Sequence, residues 1–523
     1  MSEDATPTGN EVDFIVVGSG SAGAAAAARL VEREATVLLI EAGGPCTNPA
    51  IHDPGRMHEL WDSEVDWGYR TTPQAAAGGR RLHLPRGRVL GGSSCLNGMI
   101  YTRGAPHDYD SWVAQGAAGW GWEDVLPVYR RMEDFDSGPS ELHGAGGPVR
   151  VMTQWEPDPI QVAIIEAAQQ AGLPLNSDYN STKLDGVSQM QFTISKGRRH
   201  SAVAAYLDAI EDEPGLQVVT DATVTRLLLD GERCTGVEWA RNGALEQASV
   251  AAEVVVCGGA IGSPQLLLCS GIGPADELAG LGIEVAHDLP GVGANLHDHL
   301  LSPVIFSAER QIDPPTAGLP APQSHSFWRS RPGLPGPDTQ PIHFSAPLYE
   351  DWMEGPENGF SLMAGMISPQ SRGRLRLSDA DPTSSPLIDL AALSETADLE
   401  SLAASVAMCR RIGAEPALRE WGSKEIYPGP EVSSDASLHD YVRSTAITYH
   451  HQVGTCRMGS DDLAVVDPEL RVRGLDSLRV ADASVMPTVI SGNTQAPAIM
   501  IGERVADFIT SRSTADEGAR VAG

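Results

Sequence analysis

Short apolar runs alternate with glycine-rich turns at the start of this 523-residue chain. Residues 14–17 (FIVV) form a run that suits a buried strand, and the turn GSGSAG follows at residues 18–23. An alanine-rich stretch with helical spacing extends to about Glu34, and a second apolar run ends in Glu41. This pattern predicts a β-α-β unit that is closed by an acidic residue.

Each part of this unit has a physical role in binding a dinucleotide. Gly18 permits the tight turn, Gly20 lets the backbone approach a pyrophosphate, and Gly23 lets the helix pack closely on the strand. The free N–H groups at the start of the helix attract phosphate. Glu41 can accept hydrogen bonds from ribose hydroxyls. The unit therefore predicts a dinucleotide site, and it fits FAD and NAD equally.

The rest of the chain has mixed α and β patterns without an internal repeat. Residues 218–230 predict strands joined by a turn, and residues 253–257 predict a short buried strand. A helix is predicted over residues 401–413, and a strand over residues 478–482. Residues 311–358 are rich in proline and glycine, which indicates either a loop-rich cap over a substrate or a long surface excursion.

Composition and charge exclude several classes of partner. The hydrophobic share of 41% and charged share of 20% indicate a globular protein, and the length predicts two or three domains. A formal net charge of −32 excludes nucleic acid, whose binding needs many Lys and Arg contacts to phosphate, and it opposes an anionic membrane surface. The simplest interpretation is that the excess of acidic residues lies on the solvated outer surface. Attraction of a cationic substrate is the alternative.

The seven cysteines are odd in number and scattered, with no pair at CxxC spacing. They indicate neither a disulfide framework nor a zinc site, and the HDH sequence at residues 297–299 lacks a third ligand in view. The acidic N-terminus has no signal-peptide pattern, and no run reaches the roughly 18 apolar residues of a membrane helix. These features predict a soluble, cytoplasmic protein that binds no metal and no membrane.

Two further segments combine glycine and serine at high density. Residues 86–98 hold four glycines and two serines around an apolar dipeptide, so their backbone can lie against a flat ligand. Residues 259–273 contain a glycine turn, a Ser-Pro pair that opens a helix, and an SGIG stop. Either segment alone could be a structural turn.

Taken with the β-α-β unit, these segments resemble the glucose–methanol–choline (GMC) oxidoreductases, a family of FAD enzymes. Both signature stretches of that family fit, at residues 87–110 and 259–273. The sequence HQVGTCRMG at residues 451–459, followed by VADASVMP at 480–487 and GNT at 492–494, fits as well. The resemblance spans nearly the whole chain in the family's order, which makes it far more specific than the glycine turn alone.

The resemblance implies non-covalent FAD and an α/β fold in which two domains are interleaved. A Rossmann-type FAD-binding domain would comprise residues 1–155, 195–310 and 445–523. An α+β substrate-binding domain, an antiparallel sheet with flanking helices, would comprise residues 156–194 and 311–444. The residues implied to hold FAD are Gly18, Gly20, Ser21, Ala22, Gly23 and Glu41 at the ADP half, Val224 at the adenine, Gly92, Asn97, Gly98, Met99 and Ile100 along the flavin, and Asp482 and Ala483 near the ribityl chain and pyrophosphate.

Alcohol oxidation removes a hydroxyl proton and passes a hydride from carbon to flavin N5. A histidine suits the first task because its pKa lies near neutrality, and a group that does not titrate can hold the alcohol oxygen. The family's positions for these two groups fall on His451 and Asn493. His450 is the alternative base if the alignment shifts by one residue, but VGT follows His451 at the family's spacing.

Two positions depart from choline-oxidising relatives. Leu96 stands where choline oxidases attach FAD through a histidine, which is why FAD is expected to be non-covalent. Leu300 and Leu301 stand where relatives that bind choline place a carboxylate, and a buried cation without a partner gains little to offset its desolvation. Cation–π contact with Trp328 or Trp352 could replace that carboxylate, although packing is the simpler role.

The sequence thus predicts FAD-dependent oxidation of an uncharged, aromatic or heteroaromatic primary alcohol to the aldehyde, with oxygen or another acceptor reoxidising the flavin. The HDHLL segment is similar to pyridoxine 4-oxidases. The alternatives are choline-type or pyridoxine-type oxidation, and a non-redox hydroxynitrile lyase that binds FAD. An NAD dehydrogenase and a non-catalytic flavin-binding protein are further alternatives. The oligomeric state and the choice between oxidase and dehydrogenase stay open.

Overall fold

The predicted N-terminal β-α-β unit is present in the computed structural model, which describes residues 11–521 and the side chains of residues 11–510. It consists of the strand Val12–Val17, the helix Ser21–Val31 and the strand Val37–Ile40. The helix lies directly on the turn before it, because a Cβ atom on Gly23 would lie 1.9 Å from the Gly18 carbonyl oxygen. Gly18 itself has a φ of +95°, which favours glycine.

The first sheet has seven strands and contains this unit. Val12–Val17 and Val37–Ile40 are buried almost throughout, as continuous apolar strands of a parallel sheet should be. The C-terminal part of Ala244–Val256 pairs parallel with Val12–Val17, and its N-terminal part pairs antiparallel with Arg233–Arg241. The order is Leu216–Val219, Val37–Ile40, Val12–Val17, Ala244–Val256, Arg233–Arg241 and Thr223–Asp230, with Leu478–Val480 also beside Ala244–Val256.

The second sheet also has seven strands, and all of its pairings are antiparallel. The helices Pro159–Gln170 and Thr396–Gly413 pack against it, which confirms the predicted antiparallel sheet with flanking helices. The order is Lys424–Tyr427, Leu300–Ser307, Gly359–Met366, Ile342–Phe344, Pro322–Phe327 and Gly186–Gln189, with Ile447–Thr448 also beside Leu300–Ser307.

Two of these strands lie within stretches that the predicted limits give to the FAD-binding domain. They are Leu300–Ser307 and Ile447–Thr448, which pair with each other at the edge of the second sheet. Residues 311–358, predicted to be loop-rich, supply the strands Pro322–Phe327 and Ile342–Phe344. The predicted helix that the Ser-Pro pair was expected to open begins earlier, at Gly259.

The remaining elements are short or connect the sheets. Within the described residues, no helix combines the length and the apolar character that crossing a membrane requires. The other helices are Pro49–His52, Pro106–Ala114, Trp122–Met132, Gly259–Cys269, Ala275–Gly280, Pro416–Arg419, Asp435–Thr445 and Gln495–Val521, with 3-10 turns at Pro54–Glu59, Ala75–Ala77, Gly92–Cys95 and Ala483–Val485 and a π turn at Val203–Leu207. The short strand pairs are Tyr69–Arg70 with His83–Leu84, Glu133–Phe135 with Val149–Val151, Ile194–Ser195 with Arg198–Arg199, Ile272–Gly273 with His287–Asp288, and Arg374–Arg376 with Leu387–Asp389.

Candidate active site

A single cavity of about 1130 Å³ runs between residues of both sheets. All of the site residues predicted from the sequence line this cavity except Gly23. Gly23 lies behind the wall, where its lack of a side chain lets the helix contact the Gly18 backbone. The cavity thus brings the two predicted catalytic residues and the predicted cofactor residues into one continuous space.

The Glu41 carboxylate lines the cavity. Its Oε2 atom accepts hydrogen bonds from the Ser19 backbone N–H at 3.0 Å and the Ser19 hydroxyl at 2.6 Å, and its Oε1 atom accepts one from the Gly43 N–H at 2.9 Å. Burial raises the pKa of Glu41, and these hydrogen bonds oppose that shift. A carboxylate fixed in this way at the end of the strand Val37–Ile40 can accept hydrogen bonds from ribose hydroxyls.

The start of the helix Ser21–Val31 faces the same space. No side chain caps its N-terminus at Gly20, and a Cβ atom added to Gly20 would meet nothing within 4 Å. On the other side, a Cβ atom on Gly92 would lie 2.8 Å from the Gly20 Cα atom, so the two glycine turns are in contact. The free N–H groups of this uncapped helix N-terminus, next to glycine backbone without side chains, can bind a pyrophosphate.

Asp482 fixes a third part of the cavity wall. Its carboxylate accepts hydrogen bonds from the Gly259 N–H at 2.8 Å, the Ser263 hydroxyl at 2.5 Å and the Ser484 N–H at 2.7 Å. These contacts tie the strand Leu478–Val480 to the start of the helix Gly259–Cys269. Burial raises the pKa of Asp482. The second glycine-serine segment, which could have been scaffold, therefore contributes to this wall.

His451 lines the cavity, and both of its ring nitrogens have partners. Its Nε2 atom is 3.2 Å from the Asn493 amide nitrogen, and its Nδ1 atom is 3.0 Å from the Nδ1 atom of His299. The ring stacks on Tyr449 with centroids 4.6 Å apart. The His451 backbone N–H donates to Asp298 at 2.7 Å, and burial raises the pKa of that carboxyl to about 7.

The orientation of the Asn493 amide determines which His451 nitrogen carries the proton. The Asn493 oxygen accepts hydrogen bonds from the Gln340 amide at 3.1 Å and the Thr102 hydroxyl at 3.3 Å. The Asn493 NH₂ group therefore donates to His451 Nε2, which must be unprotonated. Neutral His451 then carries its proton on Nδ1 and donates it to His299. Burial, followed by the charges of His299, His450 and Arg86, lowers the pKa of His451 well below its usual value.

His450, the alternative base, makes different contacts. Its Nδ1 atom is 2.7 Å from the Thr448 hydroxyl, and its ring packs edge-on against Trp61 at 5.0 Å. Its backbone carbonyl accepts a hydrogen bond from Arg86. Burial lowers the pKa of His450 to about 3. Although His450 also lines the cavity, it is His451 that contacts Asn493.

The cavity wall near His451 is mostly apolar. Leu301 lines it, and Leu300, on the opposite face of the same strand, does not. Trp328 and Trp352 do not line it either, which removes the basis for the cation–π alternative. The apolar and aromatic lining residues are Ile100, Leu301, Ile342, Phe344, Leu348, Met363, Ile447 and Tyr449.

Sequence reasoning missed four side chains of the site. Thr102, His299 and Gln340 reach the catalytic pair through hydrogen bonds, and Glu350 lines the wall. Burial raises the pKa of Glu350, and the positive charge of Arg80 opposes the shift. The HDH sequence signalled His299 only as a weak metal ligand. Among the described residues, the one group of three that could hold a metal is instead Asp62, Asp66 and His83, outside the predicted site.

Two family models with the description GMC oxidoreductase match this chain, at residues 12–301 and 369–502. The chain belongs to the GMC oxidoreductase family. Mitochondrial choline dehydrogenase of Homo sapiens is 40% identical over 534 residues, covering 96% of this chain and 90% of the relative. Oxygen-dependent choline dehydrogenase of Rhizobium johnstonii is 38% identical and covers 96% of each chain.

Solved structures agree with this assignment. Pyridoxine 4-oxidase from Mesorbium loti has a TM-score of 0.91 and 36% identity, covering 95% of this chain and 99% of its own. Formate oxidase from Aspergillus oryzae has a TM-score of 0.89 and 26% identity, covering 97% of this chain. The expected family, the α/β fold, FAD as cofactor and activity on CH–OH groups are thereby confirmed.

Proposed function

We propose that this GMC oxidoreductase oxidises a primary alcohol to the aldehyde with His451 as the base and Asn493 as its partner. The observation that carries the proposal is the contact between His451 Nε2 and the Asn493 amide at 3.2 Å, inside the cavity that also holds the predicted FAD residues. Bound FAD supplies the acceptor for the hydride that leaves the alcohol carbon.

The protonation state of His451 determines where the hydroxyl proton of the alcohol goes. The alcohol oxygen takes the place of the direct contact between Asn493 and His451. The Nε2 lone pair then accepts the hydroxyl proton of the alcohol, and the Asn493 amide donates a hydrogen bond to the alcohol oxygen as negative charge develops there. Because the imidazole is buried and neutral, it is ready to accept a proton without first losing one. Asp298 holds His451 by accepting a hydrogen bond from its backbone N–H, and Tyr449 holds the ring by stacking on its face.

For the cofactor we propose the following placement of this chain's residues. Glu41 binds the ribose of the ADP half, and the N-terminus of Ser21–Val31 binds the pyrophosphate. Asp482 orders the backbone near the ribityl chain. Leu96, which is buried and lines the cavity, offers no group for a covalent bond, so FAD is non-covalent. The division into an FAD-binding and a substrate-binding domain also stays a proposal; moving one limit from 310 to about 299 would keep Leu300–Ser307 with the rest of its sheet.

We propose an uncharged alcohol with an aromatic or heteroaromatic ring as substrate. The wall near His451 is mostly apolar, and Leu300 and Leu301 stand where choline-binding relatives place a carboxylate. Similarity to pyridoxine 4-oxidase supports a heteroaromatic ring. Oxygen is proposed as one acceptor, and the free cysteines support a cytoplasmic location.

A cationic alcohol of the choline type is the second candidate. Glu350 brings a carboxylate into the cavity wall, and the described residues offer its side chain no hydrogen bond or salt bridge. The choline dehydrogenases among the relatives favour this candidate too. A carboxylate from this position could replace the one missing at Leu300 and Leu301.

A panel of primary alcohols tests both candidates. Purified holoenzyme is mixed with benzylic alcohols, pyridoxine, choline and a cyanohydrin, first without oxygen to follow flavin bleaching and then with oxygen to follow peroxide. We expect benzylic or heteroaromatic alcohols to bleach the flavin fastest. Faster bleaching by choline would favour the second candidate. Cleavage of the cyanohydrin with no bleaching by any alcohol would overturn the proposed oxidation in favour of a lyase.

A further inference from the structure

Two thiols lie in contact beside the cofactor cavity. The Sγ atoms of Cys46 and Cys95 are 3.7 Å apart. Cys46 is partly exposed, in the segment that follows Glu41, and Cys95 is buried at the end of the turn Gly92–Cys95. Both segments carry residues that line the cavity. The mechanism proposed above uses neither thiol.

A buried guanidinium adjoins this pair. The Nε atom of Arg199 donates to the Ile51 carbonyl at 2.7 Å, and its Nη1 atom donates to the Asn97 carbonyl at 2.6 Å and the Asn97 side-chain oxygen at 2.7 Å. Its Nη2 atom is buried and has no hydrogen-bond partner within the described residues. The described part of the chain also gives Arg199 no salt bridge with a carboxylate.

A buried positive charge without a counter-ion is costly, so it favours an anion nearby. The groups whose charge acts on Arg199 are the two thiols. The hydrogen bond from Cys95 and, more weakly, the charge of Arg199 lower the pKa of Cys46, while burial and the charge of Asp208 oppose the shift. The hydrogen bond with Cys46 and burial raise the pKa of Cys95, so Cys46 is the thiol of the pair that ionises first, and the Cys95 thiol also donates to the Leu90 carbonyl at 3.3 Å.

We propose that Cys46 and Cys95 are a peroxide-reactive dithiol site, with Cys46 as the attacking sulfur, Cys95 as the resolving sulfur and Arg199 as the stabilising cation. The Cys46 thiolate attacks one oxygen of hydrogen peroxide; the O–O bond breaks, and the hydroxide released takes a proton to form water. The sulfenic acid on Cys46 is then attacked by Cys95. The S–S bond forms, the S–O bond breaks, and a second water leaves.

In total, two thiols and one hydrogen peroxide give one disulfide and two waters. The sulfurs are oxidised by two electrons and the peroxide is reduced by two. The step requires hydrogen peroxide from any source, so it does not depend on which alcohol the enzyme oxidises or on its acceptor. The disulfide would join the segment after Glu41 to the turn Gly92–Cys95, and thus link two sides of the cofactor site.

The test treats holoenzyme with a small excess of hydrogen peroxide. We expect the intact mass to fall by two hydrogen atoms, the number of titratable thiols to fall by two, and a peptide map to show Cys46 joined to Cys95. Dithiothreitol should reverse all three changes. A map in which both cysteines are still alkylated as free thiols after peroxide treatment would overturn the proposal.

Single variants separate the roles of the two sulfurs. In the Cys95→Ser variant, the reaction should stop at the sulfenic acid on Cys46, which dimedone labels. The Cys46→Ser variant should show neither dimedone labelling nor a cross-link. The matched control is Cys269→Ser, because Cys269 is also partly exposed but burial raises its pKa to about 11. This control should cross-link like wild type. Labelling of Cys269 before Cys46 in the wild-type protein would contradict the assignment.

Arg199→Gln tests the cation. We expect cross-linking at neutral pH to slow by about tenfold, because less Cys46 is present as thiolate. An unchanged rate would exclude Arg199 from the site. If this variant does not fold, the rate of cross-linking in the wild-type protein is measured as a function of pH instead. We expect the rate to reach half of its maximum at a pH well below the usual pKa of a thiol. A midpoint at that usual pKa would exclude Arg199 as the stabilising cation.

Discussion

The Nδ1 atom of His299 lies 3.0 Å from the Nδ1 atom of His451. Two nitrogens at this distance share one proton, so one ring must donate and the other must accept. The Asn493 amide donates to the opposite side of His451, which assigns the shared proton to His451. His299 is thus a positioning residue that holds the base in its reactive tautomer.

Replacing His299 should lower the rate of flavin reduction more than it changes KM. We expect His299→Ala to reduce that rate by about 10²-fold, because His451 loses the acceptor that keeps its proton on Nδ1. His299→Asn should recover part of the rate, since the amide oxygen can accept the same hydrogen bond. Stopped-flow reduction of the flavin as a function of pH provides the measurement. Equal losses in both variants would indicate a packing role only.

The two adjacent histidines should differ sharply on substitution. His451→Ala should lower flavin reduction by about 10³-fold, within the usual range for a general base, whereas His450→Ala should lower it by less than about tenfold. His450 bonds to Thr448 instead of Asn493. Bound flavin, measured by absorbance, should be retained in both variants. A larger loss for His450→Ala would assign the base to His450.

Glu350→Gln distinguishes the two candidate substrates. For benzylic alcohols we expect kcat/KM to stay within about threefold of wild type, because an uncharged ring gains little from a carboxylate. For choline we expect a fall of about tenfold or more, since the variant removes the negative charge that could pair with the cation. Steady-state kinetics with both alcohols measures the difference. Equal effects on the two substrates would show that Glu350 does not discriminate charge.

Gly23→Ala should abolish FAD binding or folding of the first sheet. The added Cβ atom would lie 1.9 Å from the Gly18 carbonyl oxygen, a distance that neither backbone can accept without moving. Gly280→Ala is the matched control, because a Cβ atom at that helical glycine meets nothing within 4 Å. The ratio of flavin to protein absorbance after purification is the measurement. Full flavin content in Gly23→Ala would contradict the close packing.

Acidification should destabilise the protein partly through His343. Burial lowers the pKa of His343 from 6.5 to about 3, so the unfolded chain binds a proton below pH 6.5 that the folded chain does not. The free energy of unfolding therefore falls as pH drops through this interval, by up to about 1.4 kcal/mol per pH unit. In His343→Asn, the melting temperature should decline less steeply between pH 6.5 and 5. Parallel declines would show that His343 is protonated in the folded protein.

The first sheet was largely predictable because its signals are local. Apolar runs and glycine spacing define the β-α-β unit without any knowledge of distant residues. The strand Pro322–Phe327 was not predicted, because Gln323, Ser324, His325 and Ser326 are polar and yet fully buried. Side-chain partners from far along the chain satisfy them, for instance Gln161, which accepts a hydrogen bond from Ser324.

The same limit applies to the site. Family motifs indicated His451 and Asn493, but His299 lies 152 positions before its partner and carries no local signal for that contact. Gln340 likewise reaches Asn493 across 153 positions. Only the folded arrangement of the second sheet shows that these side chains act on the same amide and ring.

The register of Leu300 with Thr448 sets the spacing of the two histidines that flank this short ladder. Side chains can change there without altering the backbone, but inserting or deleting one residue on either strand would move His299 and His451 past each other by a residue. Chain length is therefore tightly constrained at this point.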